Sequence, residues 1–386
     1  MGQPLLSICV PTFNRAPLLR LLLASLVREA YGLGDRLEIV VSDNASTDDT
    51  PDVVASVQAD LPLKYSRNPT NLGVAANIDA VVGLAAGTYC WIVGDDDLFA
   101  EGAVGTVIQL LDSTPGIPAV VVGYSYVREE ARFGACCDPD AEGARSIFNH
   151  PERPAAIVKW EETCYDSRAR GLHTAIVGCV FSRDLWSLGG LNHDELLRVE
   201  PLSTLESTCP HTVVWVRTLT GKDVLFAPKP LLCFFVGSQG WFDRCWPTIN
   251  FSFCLNLAEL MRAKGGIEGP IRYYEGLLLS ASGLDQLVCA PNEYAQRHFS
   301  LAWLISKYGH RKELIAGLEL GERKLEARLR SWYIRRILSA VILSRKINPR
   351  LLRFLGRRMA GQLVRFMESL FRRLLNFARP ATDDPK

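Results

Sequence analysis

The chain carries eleven cysteines in 386 residues, yet no two of them are spaced CxxC. A zinc ribbon or finger, built from paired cysteines at short spacing, is therefore excluded, and the adjacent Cys136 and Cys137 cannot share one structural zinc site. Reduced, intracellular thiols are the expectation. The first residues lack a basic segment followed by an apolar one, so a secretory leader is not expected there. No apolar run is long enough, or free enough of charge, to cross a bilayer core of roughly 30 Å: Ile117 to Val127 and Trp332 to Leu343 come nearest. Solenoid repeats and low-complexity tracts are missing, apart from a short Pro and Asp tail at Pro380 to Lys386. The first strand-to-helix turn reads Pro11-Thr-Phe-Asn-Arg15 rather than GxGxxG, which argues against a dinucleotide-dependent dehydrogenase.

What remains is the composition of an ordinary folded protein, 48% hydrophobic and 22% charged, long enough for one sizeable domain and an extension. The formal net charge of +1 hides an uneven distribution. Acidic residues concentrate before about residue 210, and the last third is rich in arginine. An acidic N-terminal rim would repel phosphates unless a metal intervened, which weighs against nucleic acid as a partner.

Apolar periodicity predicts alternating strands and helices. Leu5 to Val10 reads as a strand, followed by a helix from Pro17 with leucines at 18, 19, 22, 23 and 26. Leu37 to Val41 is a second strand, with Thr47 as the cap of a helix bearing Val53, Val54 and Val57. A third unit has a strand near Leu63 to Ser66 and a helix through Val74, Ile78, Val81, Val82 and Ala85, for which Gly87 is the expected C-terminal cap. Thr88 to Val93 is a fourth strand, ahead of a helix from about Gly102 to Leu111. This alternation predicts an α/β fold with a mainly parallel sheet covered by helices. Ligands of such sheets bind beyond the carboxyl ends of the strands, where Pro11 to Asn14, Asp43 to Asp48 and Asp95 to Asp97 all fall.

The run Gly94-Asp-Asp-Asp97 ends an apolar strand and supplies hard oxygen ligands suited to Mg²⁺ or Mn²⁺ with phosphate oxygens completing the shell. From the sequence it reads as an extended segment, in which successive side chains alternate. Gly94 offers a close approach for a ligand. Four stretches together, Ser7 to Arg15, Glu38 to Asp48, Asn71-Leu-Gly73 and Trp91 to Asp97, resemble the nucleotide-binding half of a family 2 glycosyltransferase of the GT-A fold, over residues 5 to 112. Their wording is similar to the abequosyltransferase-like branch, which adds deoxysugars in O-antigen assembly. The resemblance implies a GT-A domain over 1–245, divided into a nucleotide half (1–112) and an acceptor half (113–245), with a helical, Arg-rich region over 246–386. It implies that Pro11, Thr12 and Asn14 line the nucleotide pocket and that Asp43 contacts the base or ribose. By the same likeness Asn71 shapes the site, Asp95 and Asp96 lie on the donor side, and Asp97 binds the metal. The substrates implied are a nucleotide-diphosphate sugar and a saccharide acceptor, free or lipid-linked, in bacterial surface-polysaccharide synthesis. The reaction would be hexosyl or deoxyhexosyl transfer by a single displacement that inverts the anomeric centre. The alternative is a non-catalytic nucleotide-sugar-binding or scaffold protein of the same fold.

The base departs from the family pattern, since Pro210-His-Thr-Val-Val-Trp-Val-Arg217 puts His211 where many members have aspartate. Histidine can take the acceptor proton at operating pH. Glu206, Asp194 and Glu195 are the reserves, and Trp241 and Trp246 are candidates for stacking an acceptor sugar. From Leu351 to Phe377 a helical repeat aligns Leu352, Leu355, Met359, Leu363, Phe366, Leu370, Leu374 and Phe377, with Arg350, Arg353, Arg357, Arg358, Arg365 and Arg372 broadly opposite. Such a helix suits an anionic membrane surface, consistent with a cytoplasmic protein peripheral to the plasma membrane, or equally a packing or homodimer contact.

Overall fold

The computed structural model describes residues 2–128, 137–164, 175–199, 204–236 and 256–265, with 271, 302, 305–306, 309–310, 312–324, 327–344 and 349–358. The chain divides into two compact units, Met1–Glu275 and Gly276–Lys386.

Among the described residues of the first unit, ten strands form one sheet. In chain order they are β1 (Leu6–Thr12), β2 (Leu37–Asp43), β3 (Leu63–Arg67), β4 (Tyr89–Ile92), β5 (Leu98–Phe99), β6 (Ala119–Arg128), β7 (Arg145–Ser146), β8 (Ala156–Lys159), β9 (Cys179–Ser182) and β10 (Asp223–Val236). The main path runs β3-β2-β1-β4-β9-β6-β10-β5, with β7 on β6 and β8 on β10. β1 is parallel to β2 and to β4, β2 is parallel to β3, and β6 is parallel to β10. The short strands β5, β7, β8 and β9 run against their neighbours.

The helices are α1 (Ala16–Glu29), α2 (Thr50–Ala55), α3 (Val74–Leu84), α4 (Ala103–Ser113), α5 (Asp184–Leu188), α6 (His193–Arg198), α7 (Leu205–Thr208) and α8 (Pro210–Leu219). Leu19, Leu22, Leu23 and Leu26 of α1 are buried, as the leucine spacing requires, whereas Leu18 is only partly covered. Strands at the sheet centre bury both faces. Ile8, Cys9, Val10, Val40, Val41, Trp91 and Ile92 are fully enclosed, which is why they read as continuous apolar runs. Pro11 is tolerated within central β1 because the β4 ladder has already ended at Cys9 and Ile92, so its missing N–H removes no bond on that side.

Two expected caps are replaced. Thr47 does not cap α2; Asp48 accepts from Thr50 N at 3.1 Å and Thr50 Oγ1 at 2.6 Å, and its other oxygen accepts from Ala16 N at 2.9 Å, so one carboxylate serves two helix starts. Gly87 lies beyond the end of α3, whose C-cap is Ala85. Glycine is needed at 87 because its N–H donates to Ser7 Oγ at 2.8 Å and a Cβ would clash with that oxygen.

The thiol expectation also fails for one pair. Cys137 and Cys233 form a disulfide, with Cα atoms 5.9 Å apart, beside a cluster of Leu98, Val127 and Phe235. Cys9, Cys90, Cys179 and Cys209 are free.

In the second unit, α9 (Lys312–Lys324) packs against α10 (Ala327–Leu343) and α11 (Pro349–Arg358). Tyr333 of α10 donates to the Leu318 carbonyl of α9 at 3.0 Å. The buried face of α11 is Leu351, Phe354 and Leu355, while Leu352 is 38% exposed and Arg350 and Arg353 face water. Its apolar side is thus centred one residue earlier than the sequence repeat suggests. The rest of that repeat, from Met359 onward, lies outside the described residues. No helix among those described is long and apolar enough to cross a membrane.

Candidate active site

The carboxyl ends of β1, β2, β3 and β4 form one rim, and the polar clusters of the sequence meet there. Parallel pairing sets Thr12 opposite Asp43 and Asp43 opposite Arg67. Asp43 is fully buried, and such a charge is tolerable only when its oxygens are satisfied. One oxygen accepts from Ser46 N at 2.8 Å, the other from Tyr65 Oη at 2.7 Å, with Arg67 Nε at 3.5 Å. Burial, and then the Asp43 charge, push the Tyr65 phenol well above its ordinary value, so it stays a donor. Tyr65 and Arg67 stand two apart on β3 and so face the same side.

Asn14 and Ala45 both have positive φ, +53° and +64°. Asparagine adopts that region readily, whereas alanine pays steric strain of about 1–2 kcal/mol. The two turns interlock. Asn14 N donates to Ser46 Oγ at 2.9 Å and Asn14 Oδ1 accepts from Thr47 N at 2.7 Å. Asn71 Oδ1 accepts from Asn44 Nδ2 and from Gly73 N, both at 2.9 Å, so Asn71 ties the loop after β3 to the end of β2. Asn77 of α3 completes the support, accepting from Ser42 Oγ at 2.7 Å and Asn68 Nδ2 at 2.9 Å.

The acidic run is a turn, not an extended segment, since Asp97 N donates to the Gly94 carbonyl at 3.2 Å. Asp97 curls back so that its Oδ2 accepts from Gly94 N at 2.9 Å. Gly94 is required by these acids themselves, because a Cβ would come within 2.8 Å of carboxylate oxygens of both Asp96 and Asp97. Asp95 and Asp96 therefore share a neighbour instead of diverging. Arg15 Nη1 donates to Asp95 Oδ1 at 2.9 Å and to Asp96 Oδ2 at 3.0 Å, and Thr12 Oγ1 donates to Asp95 Oδ2 at 2.8 Å. Asp95 is 5% exposed. Burial pushes its carboxyl up to about 6, against the opposing pull of Arg15.

No cluster of three or more His, Cys, Asp or Glu arranged to hold a metal occurs among the described residues. A closed cage is not what the chemistry demands, since Mg²⁺ is usually held by one or two carboxylates together with substrate phosphates. Asp95 and Asp96 already converge on a single cationic nitrogen, so the donor set fits a hard divalent ion.

Asp194, Glu206 and His211 lie on α6, α7 and α8, three helices that pack against α3. His211 is in the first turn of α8, 4% exposed, with its ring edge-on to Trp215 at 5.0 Å. Glu206 is paired with Arg217 at 2.9 Å, and Asp194 and Glu195 are exposed on the first turn of α6. Trp241 and Trp246 lie outside the described residues. The residues that sequence reasoning missed are Arg15, Tyr65 and Arg67. Arg15 stood inside a quoted motif, and the i, i+2 spacing of Tyr65 and Arg67 at a strand end was the available signal for the other two.

The glycosyl transferase family 2 model matches residues 7–150. Abequosyltransferase RfbV of Salmonella typhimurium is 41% identical over 116 residues, 29% of this chain and 34% of that protein. The GalNAc(5)-diNAcBac-PP-undecaprenol beta-1,3-glucosyltransferase of Campylobacter jejuni is 34% identical over 136 residues, 35% of this chain and 38% of that protein. The chain thus spans little more than a third of the length of these curated relatives. Residues 1–349 of S. aureus TarS, solved in complex with UDP, superpose with a TM-score of 0.55 at 15% identity, covering 88% of this chain and 89% of that one. That likeness is one of fold, and the fold is GT-A: a mainly parallel, mixed α/β sheet flanked by helices. Residues 7–150, where all four strand-end clusters lie, are thus similar to glycosyl transferase family 2.

Proposed function

We propose that this protein is a glycosyltransferase that moves a sugar from a nucleotide-diphosphate donor to a hydroxyl of a saccharide acceptor in bacterial glycan synthesis. One observation carries the reading. Asp43 and Asp95, 52 residues apart in sequence, are both buried at one sheet margin, each fixed by residues from a neighbouring strand end. In this reading the β2 and β3 ends, with Asp43, Tyr65, Arg67 and Asn71, form the nucleoside pocket, with Pro11, Thr12 and Asn14 on its floor. The acidic turn lies on the diphosphate side. Asp97, which the family likeness makes the metal ligand, commits one oxygen to Gly94 N, so in this reading Asp95 and Asp96 would hold Mg²⁺ or Mn²⁺, and the ion, when bound, would take up charge on the departing diphosphate. The acceptor hydroxyl loses its proton to a base, for which His211 is the first candidate, and attacks the anomeric carbon with inversion. A lipid-linked acceptor is suggested by the undecaprenol-bearing name of the Campylobacter relative.

A thermal-shift screen of UDP-, GDP-, CDP- and dTDP-sugars, with and without Mn²⁺, tests the reading. Saturating donor at about 100 times its Kd should add about 2.7 kcal/mol to stability. One donor class should stabilise the protein only with metal, and Asp43→Ala should remove that response. Equal response to every nucleotide, or none, refutes the donor assignment; specific binding without product on any saccharide acceptor points to the non-catalytic alternative.

A further inference from the structure

The acidic turn already holds a cation. Arg15 places one nitrogen between the Asp95 and Asp96 carboxylates, whose side chains are 6% and 7% exposed, while its own side chain is 27% exposed. A guanidinium cannot be neutralised by losing a proton, so while these acids are ionised another cation must take its place when it leaves. The backbone of Arg15 is pinned at the start of α1, its carbonyl accepting from Leu18 N and Leu19 N at 3.0 Å each, so departure is a side-chain rotation with no helix movement. Removing it with nothing in exchange would leave two buried carboxylates facing each other, a cost that keeps Arg15 in place before the donor arrives.

We propose that Arg15 is the resident cation of the donor site: it holds Asp95 and Asp96 until a divalent metal displaces it, and it then turns to the donor diphosphate. The inference rests on the metal-dependent reading above and adds the residue that competes with the metal. Arginine suits the second half of the exchange because its planar fork matches phosphate oxygens in pairs. The exchange also couples metal and donor. Metal with diphosphate supplies the displaced arginine with an anionic partner.

Mn²⁺ binding to the full chain without nucleotide, counted by electron paramagnetic resonance of free Mn²⁺, separates the possibilities. Arg15→Met keeps the packing stem and removes the charge, so it should bind Mn²⁺ about tenfold more tightly than wild type, the equivalent of about 1.4 kcal/mol of competition. Asp95→Asn should abolish the binding in both backgrounds. Equal or weaker Mn²⁺ affinity in Arg15→Met, with wild type binding normally, overturns this inference and leaves the donor reading standing. Absence of Mn²⁺ binding in every variant overturns both the inference and the metal dependence. A second measurement needs no variant: phenylglyoxal labelling of Arg15 in the wild type, followed by peptide mass spectrometry. Mn²⁺ alone should speed that labelling severalfold, and Mn²⁺ with inorganic pyrophosphate should slow it again. Labelling indifferent to Mn²⁺ overturns displacement, and labelling that stays fast with pyrophosphate overturns the turn toward the diphosphate.

Discussion

Asp95→Asn should make the metal-free protein more stable at pH 8 and leave it unchanged near pH 4. The folded carboxyl titrates at about 6, against 3.8 for an ordinary aspartate. Because the folded state binds this proton more tightly than the unfolded state, the group's contribution is fully present below pH 4 and is lost as pH rises through 6. Each tenfold change in acidity is worth about 1.4 kcal/mol, so ionised Asp95 costs the fold about 3 kcal/mol at neutral pH. Asparagine removes that cost without emptying the space. Its oxygen can still accept from Arg15, and the Thr12 hydroxyl can reverse roles and accept from the amide. Urea unfolding of both proteins in EDTA, at half-unit steps from pH 4.5 to 8, gives the difference curve directly, and other titrating groups cancel in it. The curve should rise with pH and flatten above about pH 7 at up to 3 kcal/mol in favour of the variant. A flat curve, or one favouring wild type at high pH, would mean that Arg15 and Thr12 fully compensate the buried charge, and the destabilised-site argument would be wrong.

Tyr65→Phe removes a donor to buried Asp43 and should cost about 1–3 kcal/mol of stability, with weaker donor binding by calorimetry; unchanged binding would detach the phenol from the nucleoside pocket. His211→Ala should lower kcat by roughly 10²- to 10⁴-fold if the imidazole is the base, and a fall in KM effects alone would leave it a packing residue against Trp215. The pair Cys137→Ser and Cys233→Ser tests what the bridge contributes to stability. The disulfide spans 96 residues of sequence, and its loss should cost about 2–4 kcal/mol in chemical unfolding; equal stability of the oxidised wild type and the double variant would show that the bridge constrains nothing.

Much of the first unit was legible because its signals are local. Buried parallel strands announce themselves as apolar runs, and Leu6–Thr12, Leu37–Asp43 and Tyr89–Ile92 lie within a few residues of the runs that predict them. That polar residues gather at their ends followed from topology alone. What sequence could not supply was pairing across the rim. Asp48 capping two helices, Arg15 reaching Asp96 over 81 residues, and Gly87 facing Ser7 over 80 are all long-range, and local spacing carries no trace of them. The acidic run misled for a related reason: three aspartates in a row look extended, but a backbone N–H at Gly94 draws Asp97 back into a turn. Among the described residues beyond 128 the short strands are antiparallel and β10 pairs with β6 through shifts in register, so the alternation that guided the reading stops.

The two-residue strand β5 has a consequence for how the molecule is made. Leu98 and Phe99, which leave the acidic turn, are paired with Leu232 and Cys233, and Ala100 N donates to the Leu231 carbonyl at 2.9 Å. A nascent chain of 150 residues already contains all four strand-end clusters, yet it lacks the strand that anchors the downstream side of Asp95–Asp97. Sequence-distant pairing of this kind forms late, after the loop between its partners has closed. The nucleotide half is therefore written first and finished last: the downstream end of its acidic turn can be tied down only once synthesis has passed Cys233.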